Sequence, residues 1–214
     1  MCGEVTRQGR SQSPQRPGNR MCMASAGSLR PAVFLDRDGV INENRSDHVK
    51  KWSEFQFLPG VPEAIARLNQ AGIPVFVITN QAIINRRMVP KATVQAINAK
   101  MVQELRRRGA RIEAVACCPH RPDERCGCRK PRPGLLLDLA AQFGLDLSDV
   151  VVIGDALSDV EAGRAAGCNA ILVLTGRGRE QLAQAMVTGR SDFRVASDLS
   201  AAVSIALQNH GIPV

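Results

Sequence analysis

The stretch Ala32–Asn42, AVFLDRDGVIN, decides the fold. Val33, Phe34 and Leu35 form a short apolar run of the kind that fills a strand buried in a parallel sheet. The run breaks into Asp36-Arg37-Asp38-Gly39, two carboxylates with one residue between them. On a strand that persists to Asp38 both carboxylates face the same side, at the carboxyl end where open α/β sheets place their ligands. Gly39 then lets the backbone turn sharply. Two acids this close repel each other unless a cation or a shared proton intervenes. That is the arrangement for Mg²⁺ binding, or for a carboxylate nucleophile beside a carboxyl acid/base. A solvated strand end closed by an Asx-turn also fits the pattern taken alone.

Working outward, apolar runs and amphipathic stretches alternate along the chain. Pro59-Gly60-Val61-Pro62 is expected to open a helix that runs through Gln70, with Gly72 ending it. Strands are expected at Ile73–Ile78, Ile112–Cys117, Val150–Ile153, Ala170–Leu174 and Phe193–Ala196. Helices are expected at Lys91–Arg108, Gly134–Phe143, Ser158–Ala166, Glu180–Met186 and Leu199–Leu207. This alternation predicts an α/β fold with a doubly wound, mostly parallel sheet. Glu43–Phe57, with Trp52, Phe55 and Phe57 as apolar anchors, reads as a loop or small flap over the strand ends.

At 214 residues the chain fits one domain that buries a full core. Residues 1–30, rich in Ser, Gln, Arg, Gly and Pro, read as a disordered basic tail ahead of a domain at 31–214. Met21 and Met23 offer a second reading, that translation starts there and the tail is not part of the protein. The tail carries Arg7, Arg10, Arg16, Arg20 and Arg30 against Glu4, about half of the formal charge of +8. The rest is only mildly basic, and with 3% aromatics and no Tyr it offers little surface for stacking bases, so no nucleic-acid partner is expected. No apolar run approaches the roughly 20 residues of a membrane span. A monomeric cytoplasmic protein acting on a small phosphorylated metabolite is the expectation.

Four predicted strand ends carry polar groups: Asp36/Asp38, Thr79-Asn80, Arg129-Lys130 and Asp155/Asp159. On a parallel sheet these ends share one edge and converge. They offer carboxylates for a divalent ion, a hydroxyl and an amide for phosphate oxygens, and a fixed cation. Phosphoryl transfer requires this set.

These residues resemble the haloacid dehalogenase-like phosphatases. FLDRDGVIN is similar to the first motif of that family, ITNQ to the second, CRKP to the third and IGDALSD to the fourth, over about Pro31 to Gly178. The Cys loop resembles the branch that holds heptose bisphosphate and histidinol-phosphate phosphatases. The resemblance implies no large cap domain, Asp36 as a nucleophile forming an aspartyl-phosphate, and Asp38 as acid and then base. It also implies phosphate contacts from Thr79, Asn80 and Lys130, and a Mg²⁺ site at Asp36, Asp38 and Asp155. Arg86, which matches the family's Arg, and Arg129 are left as candidates for a second anionic group of the substrate.

Cys118-Pro119-His120 and Cys126-Gly127-Cys128 supply three thiols and one imidazole, in type and number the ligands of a closed structural Zn²⁺ site. Cys117 is a rival for Cys118; the CPH spacing shared with the family favours Cys118, with Cys117 ending its strand facing inward. Such a zinc would pin the loop that presents Arg129 and Lys130.

Asn85 and Arg87 depart from the family pattern after the second motif, where a Gly is common, and Ala156 replaces a residue often basic in the heptose enzymes. The leading expectation is a Mg²⁺-dependent phosphomonoesterase acting on a heptose bisphosphate. Histidinol phosphate is the rival substrate, a 3′-phosphatase on nucleic-acid ends a third reading. A silent binding protein is the reading outside the enzymes.

Overall fold

The computed structural model describes residues 4–7 and 30–209. Its strands are β1 (Glu4–Arg7), β2 (Arg30–Leu35), β3 (Val75–Asn80), β4 (Ala114–Cys118), β5 (Leu145–Gly154), β6 (Asn169–Val173) and β7 (Arg194–Ala196). Its helices are α1 (Val61–Gln70), α2 (Lys91–Arg107), α3 (Gly134–Phe143), α4 (Leu157–Ala165), α5 (Gly178–Val187) and α6 (Leu199–Asn209). The sheet runs β1-β4-β3-β2-β5-β6-β7. All neighbours pair parallel except β1, which lies antiparallel on β4. The chain builds outward from β2 on one side through β3 and β4. It then crosses to the other side of β2 and builds outward again through β5, β6 and β7. The carboxyl end of β2 is thus the switch point where a doubly wound sheet opens a crevice.

Side chains alternate across the sheet as a strand period of two requires. Val33, Leu35, Val75, Val77, Val151 and Ile153 enter one core with α1, α2 and α6. Ala32, Phe34, Phe76, Ile78, Val150 and Val152 enter the other, with Leu135, Leu136 and Leu139 of α3. Being buried on both faces, these strands are continuously apolar, which is why they stand out in the sequence. Phe76 is edge-on to Phe34 at 5.4 Å and to Phe143 at 4.8 Å between ring centroids.

Three loops crowd the carboxyl edge in place of a cap; no inserted domain occurs among the described residues. In the first, Glu43 N donates to Gln56 O and Leu58 N to Ile41 O. Trp52 stacks on Phe55 at 4.9 Å, and Phe55 meets Phe57 edge-on at 5.1 Å, so the expected flap is a small aromatic knot.

Two expectations need correction. The strand expected at Val150–Ile153 begins at Leu145, because Leu145 and Leu147 alternate with polar neighbours and pack on the second core while β5 extends toward Arg30. The tail expected to be disordered over 1–30 contains β1 at Glu4–Arg7, paired antiparallel with the edge of β4. Residues 1–3 and 8–29 of that tail, with both alternative starts, lie outside the described residues.

Phe76→Ala empties a site walled by two rings and is expected to cost about 3–5 kcal/mol. Denaturant unfolding with an unchanged m-value checks this.

Candidate active site

The site is built on strand ends. The register Leu35↔Ile153 places Asp36, just past β2, beside the end of β5 that delivers Asp155. Lys130 arrives from the loop after β4 and is completely buried. Its Nζ lies 2.9 Å from Asp36 Oδ1 and 2.6 Å from Asp159 Oδ1, and donates to Ile78 O at 2.8 Å. One ammonium therefore serves two buried carboxylates on different elements. Burial pushes the Asp36 carboxyl up to about 6, against the pull of Lys130 and with the help of Asp159 and Asp38. Asp159 and Asp155 are also raised, chiefly by burial. Burial works to lower Lys130, but the two aspartates overcome it and raise it above its ordinary range, so it stays charged.

Asp38 stands apart. Arg37 Nη2 donates to both its oxygens at 2.9 and 3.0 Å, Asn42 Nδ2 to Oδ1 at 2.9 Å and Gln81 Nε2 to Oδ2 at 2.7 Å. Burial works to raise this carboxyl, but the Arg37 charge and these hydrogen bonds outweigh it and hold Asp38 below the ordinary range. Arg37 is itself buried, its Nη1 on Asn98 Oδ1 of α2 at 2.9 Å.

The metal expectation changes accordingly. Asp38 was to join Asp36 and Asp155 around Mg²⁺, but its carboxylate is committed to Arg37, Asn42 and Gln81. The acids whose oxygens gather within 4.8 Å of one another are Asp36, Asp155 and Asp159. Three buried carboxylates with raised proton affinity form an oxygen-donor set suited to a hard divalent cation, so the residues fit Mg²⁺. Asp155 is closely cradled: a Cβ at Gly39 or Gly176, both at positive φ, would overlap its Oδ2. Thr175 Oγ1 donates to Gly39 O at 2.6 Å and ties the two turns together.

Thr79 is buried, and its Oγ1 accepts from Gln81 Nε2 at 2.9 Å, which leaves its own proton to donate. Asn80 was expected on phosphate; it is instead spent on the loop backbone. Its Nδ2 donates to Lys130 O at 3.0 Å and its Oδ1 accepts from Lys130 N at 3.2 Å. Arg129 Nη1 donates to His120 O at 3.1 Å, and exposed Arg86 has Nη1 3.4 Å from His48 Nε2. Asn85 Nδ2 donates to both Glu124 oxygens, at 2.9 and 3.1 Å, so the loop after β3 is latched to the Cys loop. Arg37 and Gln81 as partners of Asp38, and His48 as a partner of Arg86, are absent from the sequence expectation of site residues, whereas Asp159 was offered there as a strand-end carboxylate without being named a metal ligand. Gln81 had a signal, its place directly after Thr79-Asn80; Arg37 and His48 had none.

The Cys cluster closes as expected. Cys118, Cys126 and Cys128 have sulfurs 3.3–3.6 Å apart, and His120 Nδ1 is 3.5 Å from Cys118 Sγ and 3.3 Å from Cys128 Sγ. A tetrahedral ion with bonds of about 2.0–2.3 Å demands edges near these values, so the four residues fit zinc. Cys117 lies outside the group, for a reason opposite to the one expected. It is Cys118 that points inward and is fully buried, whereas Cys117 is half-buried.

Comparison with known proteins agrees with this geometry. The profile of the HAD-hydrolase-like family matches residues 127–202. The D-glycero-beta-D-manno-heptose-1,7-bisphosphate 7-phosphatase of Bordetella bronchiseptica is 43% identical over 176 residues, 82% of this chain and 97% of that protein. This chain belongs to the haloacid dehalogenase-like phosphatases, in the heptose bisphosphate phosphatase branch. Its Pseudomonas aeruginosa relative of the same name is 40% identical over 84% of this chain and 99% of that one. A Mycobacterium tuberculosis relative, named a D-glycero-alpha-D-manno-heptose-1,7-bisphosphate 7-phosphatase, is 34% identical over 85% of this chain and 94% of that protein. The solved D,D-heptose 1,7-bisphosphate phosphatase of B. bronchiseptica, a complex with magnesium and phosphate, superposes with a TM-score of 0.79. It covers 84% of this chain and 99% of its own at 42% identity.

Purified phosphatase is expected to hold about one Zn²⁺ per chain. Cys128→Ser will lose it and melt roughly 10 °C lower, whereas Cys117→Ser will keep it. Elemental analysis beside calorimetry checks both.

Proposed function

We propose that this phosphatase hydrolyses the 7-phosphate of D-glycero-β-D-manno-heptose 1,7-bisphosphate through a phosphoryl group carried on Asp36. The observation that carries the chemistry is the buried Asp36 carboxylate with the Lys130 ammonium at 2.9 Å. A carboxylate attacks an anionic phosphoryl group only where fixed positive charge offsets the repulsion. Support for the substrate comes from the relatives, and the β anomer is favoured because those named for it are 43% and 40% identical against 34% for the α enzyme. Histidinol phosphate is not favoured by them.

In this reading Asp36 forms a bond to phosphorus as the bond to the C7 oxygen breaks, and Asp38 gives that oxygen its proton. Water then attacks phosphorus, Asp38 takes the water's proton, and the Asp36–phosphorus bond breaks to release phosphate. Arg37, Asn42 and Gln81 hold Asp38 as a carboxylate, the form needed for the second half. An anionic phosphoryl group brought alongside raises its proton affinity for the first. Thr79 donates to a phosphoryl oxygen. Asp36, Asp155 and Asp159 would hold Mg²⁺, which when bound would supply neutralisation of the charge developing on the phosphoryl group. Arg86 with His48, and Arg129 on the zinc loop, are the cations available for the phosphate at C1. No helix among the described residues is long and apolar enough to cross a membrane. The proposed setting is a monomer in a reducing cytoplasm, where clustered thiols stay available to zinc.

Asp36→Asn is expected to fold and to lose turnover, because an amide does not attack phosphorus, while Asp38→Asn loses roughly 10²–10⁴-fold. Phosphate release from the β bisphosphate, α bisphosphate, 7-monophosphate and histidinol phosphate, compared as kcat/KM, tests the substrate. The β bisphosphate is expected to lead the monophosphate by roughly tenfold or more, and Arg86→Ala to erase most of that lead. Equal efficiency on all four would refute the assignment.

A further inference from the structure

The site holds a cation that the phosphatase chemistry above does not use. Arg177 follows β6 in the turn Thr175-Gly176-Arg177, one residue before α5. Its backbone N donates to Asp155 Oδ2 at 2.9 Å, its Nε lies 3.4 Å from the same oxygen and its Nη2 3.2 Å from Oδ1. Both oxygens of a fully buried metal-site carboxylate thus carry Arg177 donors, while half of the arginine side chain is exposed to solvent.

We infer that Arg177 is a resident counter-cation for Asp155, and that a divalent ion displaces its guanidinium on entering the site. This rests on the reading of Asp36, Asp155 and Asp159 as the Mg²⁺ carboxylates. Whichever Asp155 oxygen the ion takes, it meets an arginine donor there. Three carboxylates face two cations. Lys130 cannot leave: it is buried, it bridges Asp36 and Asp159, and Asn80 grips its backbone from both sides. Arg177 has a path to water, and it keeps the Asp155 orientation through its backbone N–H after its side chain swings out. Three negative charges against Lys130 and Arg177 leave the metal-free cluster at −1. Against Lys130 and one divalent ion they sum to zero, and a retained guanidinium would make the loaded site +1. Gly176 gives the turn its freedom of approach, since a Cβ there would overlap both Asp155 and the Gly39 backbone. The arginine keeps the carboxylate cluster from repelling itself apart before metal arrives, and it weakens metal binding by the work of its own release.

The test compares the unsubstituted protein with Arg177→Gln, which retains the backbone donor, and Arg177→Lys, which retains charge without the fork. Mg²⁺ binding is measured by calorimetry, and Mn²⁺ binding by electron paramagnetic resonance, on zinc-replete protein without substrate. Arg177→Gln is expected to bind either ion roughly tenfold more tightly, the scale of one released charge-assisted hydrogen bond. It should melt lower without the ion and show a larger upward shift on adding it, with Arg177→Lys between the two. Unchanged or weaker binding by Arg177→Gln overturns the inference and leaves the metal reading intact. Should Arg177→Gln fail to fold, Arg177→Lys binding no more tightly than the unsubstituted protein overturns it alone. Failure of the unsubstituted protein to bind Mg²⁺ removes the metal reading and this inference together.

Discussion

The Lys130 ammonium between Asp36 and Asp159 is the interaction on which the site depends. Taking three charged groups out of water costs several kcal/mol per ion, and only close pairing recovers it. The pairing joins an acid after β2 to an acid in the first turns of α4, through a base from the loop after β4. The ammonium therefore fixes the relative placement of three segments whose strands and helix are also packed into the two cores. Removing the lysine would leave two buried carboxylates unpaired, a change that typically costs about 3–5 kcal/mol. In the proposed reaction the same ammonium faces the incoming phosphoryl group, so that stability and catalysis would draw on a single charge.

Around that centre the loops are fastened to one another as well as to the sheet. Asn80 holds the Lys130 backbone, Arg129 and Arg132 donate to carbonyls of the zinc loop, and Asn85 reaches Glu124. Cys118 and Cys128 belong at once to the metal cluster and to the apolar core beneath it. The zinc loop is thus seated at both ends, and through Asn85 it sets the position of the loop that carries Arg86.

Much of this was legible in the residues, and what was not has a physical cause. The parallel strands announce themselves as unbroken apolar runs because they are buried on both faces, and parallel pairing sends their polar ends to one edge. Asp36, Asp155, Thr79 and Lys130 could therefore be brought together from sequence. The direction in which a carboxylate points is another matter. Asp38 is held by Arg37 and Asn42 from its own turn and by Gln81 from the segment after β3, and the long-range half of that partnership leaves no local pattern. Asn80 looked like a phosphate ligand because its contacts to Lys130 cross fifty positions of chain. Arg177 lies one residue inside the end of the recognisable motifs, in a turn with no apolar periodicity to mark it. β1 was hidden because four residues in a polar tail carry too little pattern to be told from coil.

The place of β2 in the sheet order has a consequence for biosynthesis. A ribosome releases this strand early, and β3 follows soon after to cover one of its edges. The other edge belongs to β5, which emerges only after the whole zinc loop and α3 have been made. Through that interval the growing chain presents an apolar strand with one row of unpaired backbone groups, and for the part of it before Lys130 is made Asp36 also lacks its lysine. Such an edge recruits other strands, so the polypeptide is most prone to aggregate midway through its synthesis rather than at the end. A nascent chain stalled before Lys130 would be the species for a chaperone to hold.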